Sequence, residues 1–563
     1  PAMGAVLAGL TTGPAEAFAW RPDGNGLIHV RSDDPALVYE LRPNVRLNEY
    51  LQTNSLGFRD EEFSLDKTEG VCRIVVLGDS VAFGWEEAPD AIFAETLEAM
   101  LNALTPGTRR FEVCNLSVGG YDASQELELL RTKVPRLHPD FVILQYCWND
   151  NLIGVDAGLW RHFTRSPLRT WDFIKLRWTA LREAFSKEKP VERDYRKIAE
   201  TVRENGWPFL VAVMPAAGVD SSPMCAFLDR LGLAHIYPEA LFKACGLKRV
   251  MRDPVHLDTF GHRLVAEELF RYLATTLPCV RDALAGRTPP DFEAARATFL
   301  SAWDAWDAGD RTEAEKRYRE AAALDAGYAA LGAKQLIYAA RDLLEASQSA
   351  AALPPARAAA ELAPRDPLAL QALGLAAYAQ GLYAESAAAL DKTVALTPGS
   401  ALLSRELAEA RAREGDMEGA VSAFDAMLAI APEERLGTAV FLRTLGEAKL
   451  AANENAAAAV LLDAAVRYAP EDARAWDALG NAGRGVEAFE KAAALEPGNA
   501  PYWMHLGGAL EAADRMDDAC AAYRKAVALE PADTEHQVAL AAALLRGTDD
   551  AAHRAEAANV IHG

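Results

Sequence analysis

Lysine and arginine are in deficit. The 563 residues carry 58 Lys and Arg against 81 Asp and Glu, a formal net charge of -23. Sequence-independent nucleic-acid binding needs a basic surface, so that class is excluded and no nucleic-acid partner is expected. Long apolar runs are also missing: no stretch reaches the roughly 18 residues of a complete transmembrane helix. The opening "PAMGAVLAGLTTGPAEAFAW" is small and mildly apolar, and it starts at Pro1 rather than Met. Residues 1–20 read either as the end of a signal or anchor segment or as a terminal helix. The first reading implies a periplasmic or membrane-anchored protein, the second a cytoplasmic one. Cysteine is sparse, seven in all, an odd number without CxxC spacing. Cys72, Cys114 and Cys147 fall in or beside apolar runs and read as small core residues. Neither a disulfide framework nor structural zinc is expected.

What is present divides in two near residue 285. A chain of this length exceeds one core and should hold two to four domains. The first part alternates short apolar runs with helical stretches. "CRIVVLGDS", "FEVCNLSVGG", "FVILQYCWND" and "PFLVAVMPAAG" are nearly continuous in Val, Ile, Leu and Phe, and end in Gly, Asn, Asp or Pro. Strands buried on both faces read this way. "IFAETLEAMLNAL" and "TFGHRLVAEELFRYLATTL" carry helical periodicity. The expectation for residues 71–285 is a three-layer α/β domain whose parallel sheet has flavodoxin-like order.

After about residue 290 the strands vanish and alanine dominates. Prolines recur at the ends of "ELAP" (Pro364), "ALTP" (Pro398), "AIAP" (Pro432), "RYAP" (Pro470) and "ALEP" (Pro497 and Pro531). The intervals 364 to 398, 398 to 432 and 497 to 531 are each 34, the tetratricopeptide period. Trp503, Leu506, Gly507, Ala519, Tyr523, Ala526 and Pro531 fit the template of that repeat, as do Leu407, Ala420, Phe424 and Pro432. The unit from Trp476 to Pro497 is seven residues short, about two helical turns. The stretch 327–364 is degenerate, with Pro354-Pro355 where a helix is due. Residues 290–563 are thus expected to form an all-α solenoid that receives a protein or peptide partner.

"IVVLGDSVAFGW", residues 74–85, ends an apolar run with Gly-Asp-Ser. Asp and Ser cap helices well. A serine at the carboxyl end of a strand also lies where open α/β sheets place active sites. "GDSV" (Ser80), "NLSVGGYDASQ" (Gly120), "CWNDN" (Asn149) and "DPVHLDTFGHRLVAEEL" (Asp253 and His256) follow in order, each after a predicted strand or before a helix. Together, over residues 70–275, they resemble the SGNH (GDSL-type) hydrolase family. The resemblance implies a serine nucleophile, Ser80, with His256 as its base and Asp253 fixing the tautomer. It implies three oxyanion donors: the backbone N–H of Ser80, the backbone N–H of Gly120 and the side-chain amide of Asn149. No metal and no cofactor is expected. The bland readings are a helix-start histidine for His256 and turn residues for Asn149 and its neighbours. Asp79 reads as support for the loop rather than as a reactant. His162, His235 and His262 have no supporting pattern, and His138 sits in "RLHPD", a loop signal before a strand.

Two segments flank this set. Residues 21–70, with "LRPNVRLNEYLQTNSLGFRDEEF", resemble an extension before the first motif of some bacterial SGNH-domain proteins. Asn54, Gly57 and Arg59 stand out there, although turn and strand roles explain them as well. Residues 151–189 interrupt the domain after Asn149 with alternating basic and aromatic residues, including Trp160, Arg161 and Arg165. They read as substrate-contacting residues over the pocket, or as an amphipathic helix packed on the domain. The reading is a serine esterase acting through an acyl-serine on acyl, above all acetyl, esters of a small molecule or carbohydrate. An O-acyltransferase acting on a polysaccharide, or a repeat scaffold with a minor or inactive hydrolase domain, remains open.

Overall fold

A computed structural model describes residues 28–34, 36–46, 51–85, 87–105, 111–148, 189–216, 218–288, 290–547 and 551–562. Asn149, Trp160, Arg161, Arg165 and residues 1–20 lie outside the described residues. The chain forms two compact units, Pro1–Leu300 and Ser301–Gly563. Among the described residues no helix is long and apolar enough to cross a membrane.

The first unit opens with a two-stranded antiparallel ribbon, β1 (His29–Arg31) and β2 (Tyr39–Leu41). Five parallel strands follow: β3 (Cys72–Leu77), β4 (Phe111–Asn115), β5 (Phe141–Tyr146), β6 (Phe209–Val213) and β7 (His235–Ile236). Their order, β4-β3-β5-β6-β7, is the flavodoxin-like one. β3, β5 and β6 are buried at every position, which is why their sequences, Arg73 and Gln145 apart, are apolar without alternation. One face presents Val75, Leu77, Val142, Leu144, Val211 and Val213 to a core shared with Tyr195, Ile198 and Phe227 of the covering helices. Ile28, Leu37, Tyr39 and Leu41 belong to that same core, so the residues before the first motif are part of the domain interior. Helices Phe93–Asn102 and Thr259–Thr276 pack together on the other face. The result is the three-layer α/β architecture.

One cysteine expectation is corrected. Cys72 is buried, as anticipated, but its sulfur is bonded to Cys279. The partners are 207 residues apart in sequence, and nothing local in the chain pairs them. Cys114, Cys147, Cys225, Cys245 and Cys520 form no disulfide.

The second unit is helical throughout its described residues and built of successive helix pairs. The repeat template has a visible physical basis. The Trp503 indole N–H donates to the Pro497 carbonyl at 3.0 Å, and Trp476 does the same to Pro470 at 2.8 Å. Each tryptophan thereby ties the start of its repeat to the proline that ends the previous one. In the next unit Gln537 takes over, donating to Pro531 at 2.7 Å. Gly507 lets the two helices of its repeat meet: a Cβ there would stand 2.4 Å from the Tyr523 ring. The seven-residue deletion shortens both helices of its pair: Ala473–Leu479 has 7 residues against the 13 of Ala500–Ala512, and Val486–Leu495 has 10 against the 14 of Met516–Leu529. A glycine-bearing turn with Gly483 and Gly485 at positive φ closes that pair. The Pro354-Pro355 pair, read in the sequence as a break, lies inside a helix, Ser349–Leu362. Pro355 there is buried together with Ala352, Ala356 and Ala359, so packing on neighbouring helices overrides the lost backbone bonds.

Candidate active site

β3 ends at Leu77 and the chain turns sharply through Gly78 and Asp79 into a four-residue helix, Ser80–Phe83. Asp79 is fully buried and caps this helix, its Oδ1 accepting from the Val81 N–H at 2.9 Å. The cap reading of Gly-Asp-Ser is therefore right for the aspartate and leaves the serine side chain available. Gln145 of β5 locks the turn from beneath: its Oε1 accepts from the N–H groups of Asp79 (3.1 Å) and Ala82 (3.2 Å). A Cβ on residue 78 would stand 2.5 Å from that oxygen, so only glycine lets the tie form.

Ser80 Oγ lies 2.9 Å from His256 Nε2, and His256 Nδ1 lies 2.7 Å from Asp253 Oδ2. A carboxylate can only accept, so Nδ1 carries the proton and Nε2 is left to accept from the serine hydroxyl. The Asp-x-x-His spacing does this locally. Asp253 Oδ1 accepts from the backbone N–H groups of Val255 and His256, both at 2.8 Å, which folds the carboxylate back under the ring. Partial burial works against the Asp253 charge. The backbone and ring N–H groups of His256 and the Val255 N–H outweigh it and hold the carboxyl below its usual range. A hydroxyl, an imidazole and an anchored carboxylate in series can pass a proton away from the serine as it attacks.

After β4 the chain continues through Leu116 and Val118, whose N–H groups donate to Val76 and Gly78, to Gly119 and Gly120 beside the serine turn. Gly120 has φ 82°, a conformation that favours glycine. Gly119 lies so near that a Cβ on it would be 4.0 Å from the Ser80 Cβ. The segment preceding β3 holds this loop: the Tyr39 hydroxyl donates to the Gly119 carbonyl at 3.0 Å, and the Tyr121 hydroxyl donates to Tyr39 O at 2.5 Å.

Of the sequence candidates, the structure brings Ser80, Asp253 and His256 together, with Gly120 in the loop beside them. Asn54 makes a turn, its Oδ1 accepting from Leu56 and Phe58. At Gly57 a Cβ would stand 2.6 Å from the Leu41 carbonyl. Both are structural. Arg59 is more than that: it is buried, and its guanidinium donates to the carbonyls of Phe83, Gly84 and Glu87 beside the serine helix. His262 is buried, with Nδ1 accepting from the Phe93 N–H at 3.3 Å. Sequence reasoning missed Gln145, Asn115 and Glu87. The Asn115 side chain donates to Ala82 O at 3.0 Å and accepts from the Ser117 N–H, joining the serine helix to the Gly120 loop. Its place at the end of a buried strand was the one signal available.

No curated protein matches the chain in sequence. Among solved structures, the chain is similar to a two-domain esterase active on acetylated mannans, at 15% identity and TM-score 0.27 over 36% of this chain; the match spans 49% of that esterase. It is similar to an acetyl xylan esterase at 17% identity and TM-score 0.27, over 36% of this chain and 99% of that one. The chain is also similar to YrrB, a TPR protein with an unusual peptide-binding site, at 20% identity and TM-score 0.21, over 33% of this chain and 96% of that one. Residues 339–401, 372–435 and 477–534 match the family model of the tetratricopeptide repeat, and the second unit carries such repeats.

Proposed function

We propose that the first unit is a serine esterase of the SGNH type. The observation that carries this reading is the unbroken series Ser80 Oγ, His256 Nε2, His256 Nδ1, Asp253 Oδ2, at 2.9 and 2.7 Å. Ser80 attacks the acyl carbon while His256 takes its proton; Asp253 stabilises the imidazolium. The oxyanion is met by the N–H groups of Ser80 and Gly120 and by the Asn149 amide. His256 returns the proton to the departing alcohol. Water, activated by the same imidazole, then attacks the acyl-Ser80 carbonyl and releases the acid. Acetyl esters on carbohydrate are the substrate class that the family resemblance implies. Trp160, Arg161 and Arg165 are the residues assigned to the larger part of the substrate, through ring stacking and charge-assisted hydrogen bonds. The tetratricopeptide array binds a protein or peptide.

The test is hydrolysis of p-nitrophenyl acetate by the full chain. Ser80→Ala should lower kcat by about 10⁴–10⁶-fold, as removal of a serine nucleophile does elsewhere, without a change in thermal midpoint. Equal rates for wild type and variant would end the reading. With oligosaccharides present, free acetate should remain the main product; acetylated sugar in its place would make the domain a transferase.

A further inference from the structure

Ser80 and His256 are 176 residues apart, and a single 2.9 Å hydrogen bond joins their side chains. The His256 and Asp253 side chains are 24% and 45% exposed, so packing around them accounts for only part of their placement. Val250 and Leu257, buried at the two feet of the loop, anchor its ends, and polar ties can set how the loop meets the serine turn.

We propose that Glu87, carried by Arg59, is a positioning residue that clamps the Asp253–His256 loop to the serine turn. This rests on the esterase reading above. Glu87 lies on the loop that leaves the serine helix, and its side chain is 1% exposed. Its carboxylate accepts from the Arg252 guanidinium and, at 2.5 Å, from the Thr259 hydroxyl. These two partners bracket the reactive residues: Arg252 immediately precedes Asp253, and Thr259 opens the helix after His256. The loop between them is closed by the Arg252 N–H donating to the His256 carbonyl at 2.9 Å and by a bridge between Met251 and Leu257. One buried carboxylate therefore grips both feet of the loop.

Arg59 fixes the other end. Besides the carbonyls of Phe83, Gly84 and Glu87, its guanidinium lies 5.0 Å from the centre of the Phe83 ring. Burial lowers its pKa to about 10, so it keeps its charge at neutral pH, opposite Glu87 and Glu95. Asp60 hydrogen-bonds Glu95. Burial, with Glu95 beside it, pushes the Asp60 carboxyl well above the usual range, so that pair tends to hold a proton rather than two charges. The cluster thus approaches balance, with Arg59 and Arg252 opposite Glu87 and one shared negative charge. A shift of about 1 Å between Ser80 and His256 is enough to cost about 10²-fold in rate.

The experiment measures kcat and KM for p-nitrophenyl acetate together with fluorophosphonate labelling of Ser80, in the full chain and in Glu87→Gln and Arg252→Met. The second variant guards against misfolding of the first, because the Arg252 side chain is 28% exposed and already reaches water. Labelling counts correctly folded sites. The expected result is a fall in kcat per labelled site of about 10–100-fold for Glu87→Gln, and a smaller fall for Arg252→Met, with KM within about twofold. A purely structural role would reduce the labelled fraction and leave the rate per labelled site at the wild-type value; that result overturns the proposal. A wild type that neither labels nor hydrolyses the ester removes the esterase reading, and this inference with it. The two failures are told apart by the wild type alone.

Discussion

The two units solve opposite problems with opposite chemistry. In the first, residues far apart in the chain must meet: Ser80 with His256, Arg59 with Glu87, Tyr39 with Gly119. A parallel sheet collects them at its carboxyl edge, and buried polar ties finish the alignment. In the second, each described helix packs chiefly on its chain neighbours, and the specifying residues are alanines, glycines and a tryptophan–proline tie between residues six apart in the chain. An active site needs long-range precision. A repeat surface needs only that each unit dock on the next.

The largest test of this contrast uses acid. His29 is fully buried beside Tyr39 in the segment that supports the Gly120 loop, and burial lowers its pKa to about 4. The unfolded chain takes up a proton near 6.5, while the folded unit resists it until about 4. Stability is therefore present above pH 6.5 and lost as the pH falls to 4, by about 3 kcal/mol. His505 in the repeats behaves inversely. Its pKa is raised by the hydrogen bond to Asp477 at 2.7 Å, so its contribution is full below 6.5 and lost as the pH rises through the raised value. Two calorimetric transitions should move apart in opposite directions between pH 7 and 4.5, and His29→Leu should flatten the first. Transitions that shift together would mean the units do not titrate independently.

Next in size is a substitution in the repeats. Gly507→Ala puts a methyl into the Tyr523 ring and should cost about 1–3 kcal/mol by overpacking. Hydrogen exchange should accelerate in helices Ala500–Ala512 and Met516–Leu529 and their neighbours. Ester hydrolysis should stay unchanged. Lost activity would break the separation drawn between the units.

The smallest effect is a count. Denatured without reductant, the protein should titrate five thiols, and seven after reduction. Seven in both conditions would remove the tie between Cys72 and Cys279 and leave the first unit, like the second, without a covalent cross-link among the described residues.

What was legible in the sequence shares a property: it is local. Four buried strands showed as apolar runs. The Asp253 turn fits within four residues, and the repeats announce themselves by period. Ser80, Gly120, Asp253 and His256 could be singled out because the short motifs that carry them, taken in order, resemble those of the SGNH family. What escaped is pairwise and distant. Arg59 was visible but not its carbonyl partners, Cys72 was visible but not Cys279, and Glu87 looked like any loop glutamate. Gln145 sat unremarked in an apolar strand, although a polar amide with no exposed surface had to have partners nearby. Pro354-Pro355 misled because local propensity was read without the packing that overrides it.

The ribbon of β1 and β2 bears on what a domain is in this protein. The first sequence motif stands at the end of β3, yet Ile28, Leu37, Tyr39 and Leu41 fill the interior on which the sheet rests. A fragment cut at the first motif would keep Ser80, Gly120, Asp253 and His256 while stripping the Gly120 loop of its tyrosine support and the serine turn of Arg59. Any transplantation of this unit onto another chain, by recombination or by design, has to carry the forty-odd residues ahead of the first signature. The heritable module is longer than its fingerprint.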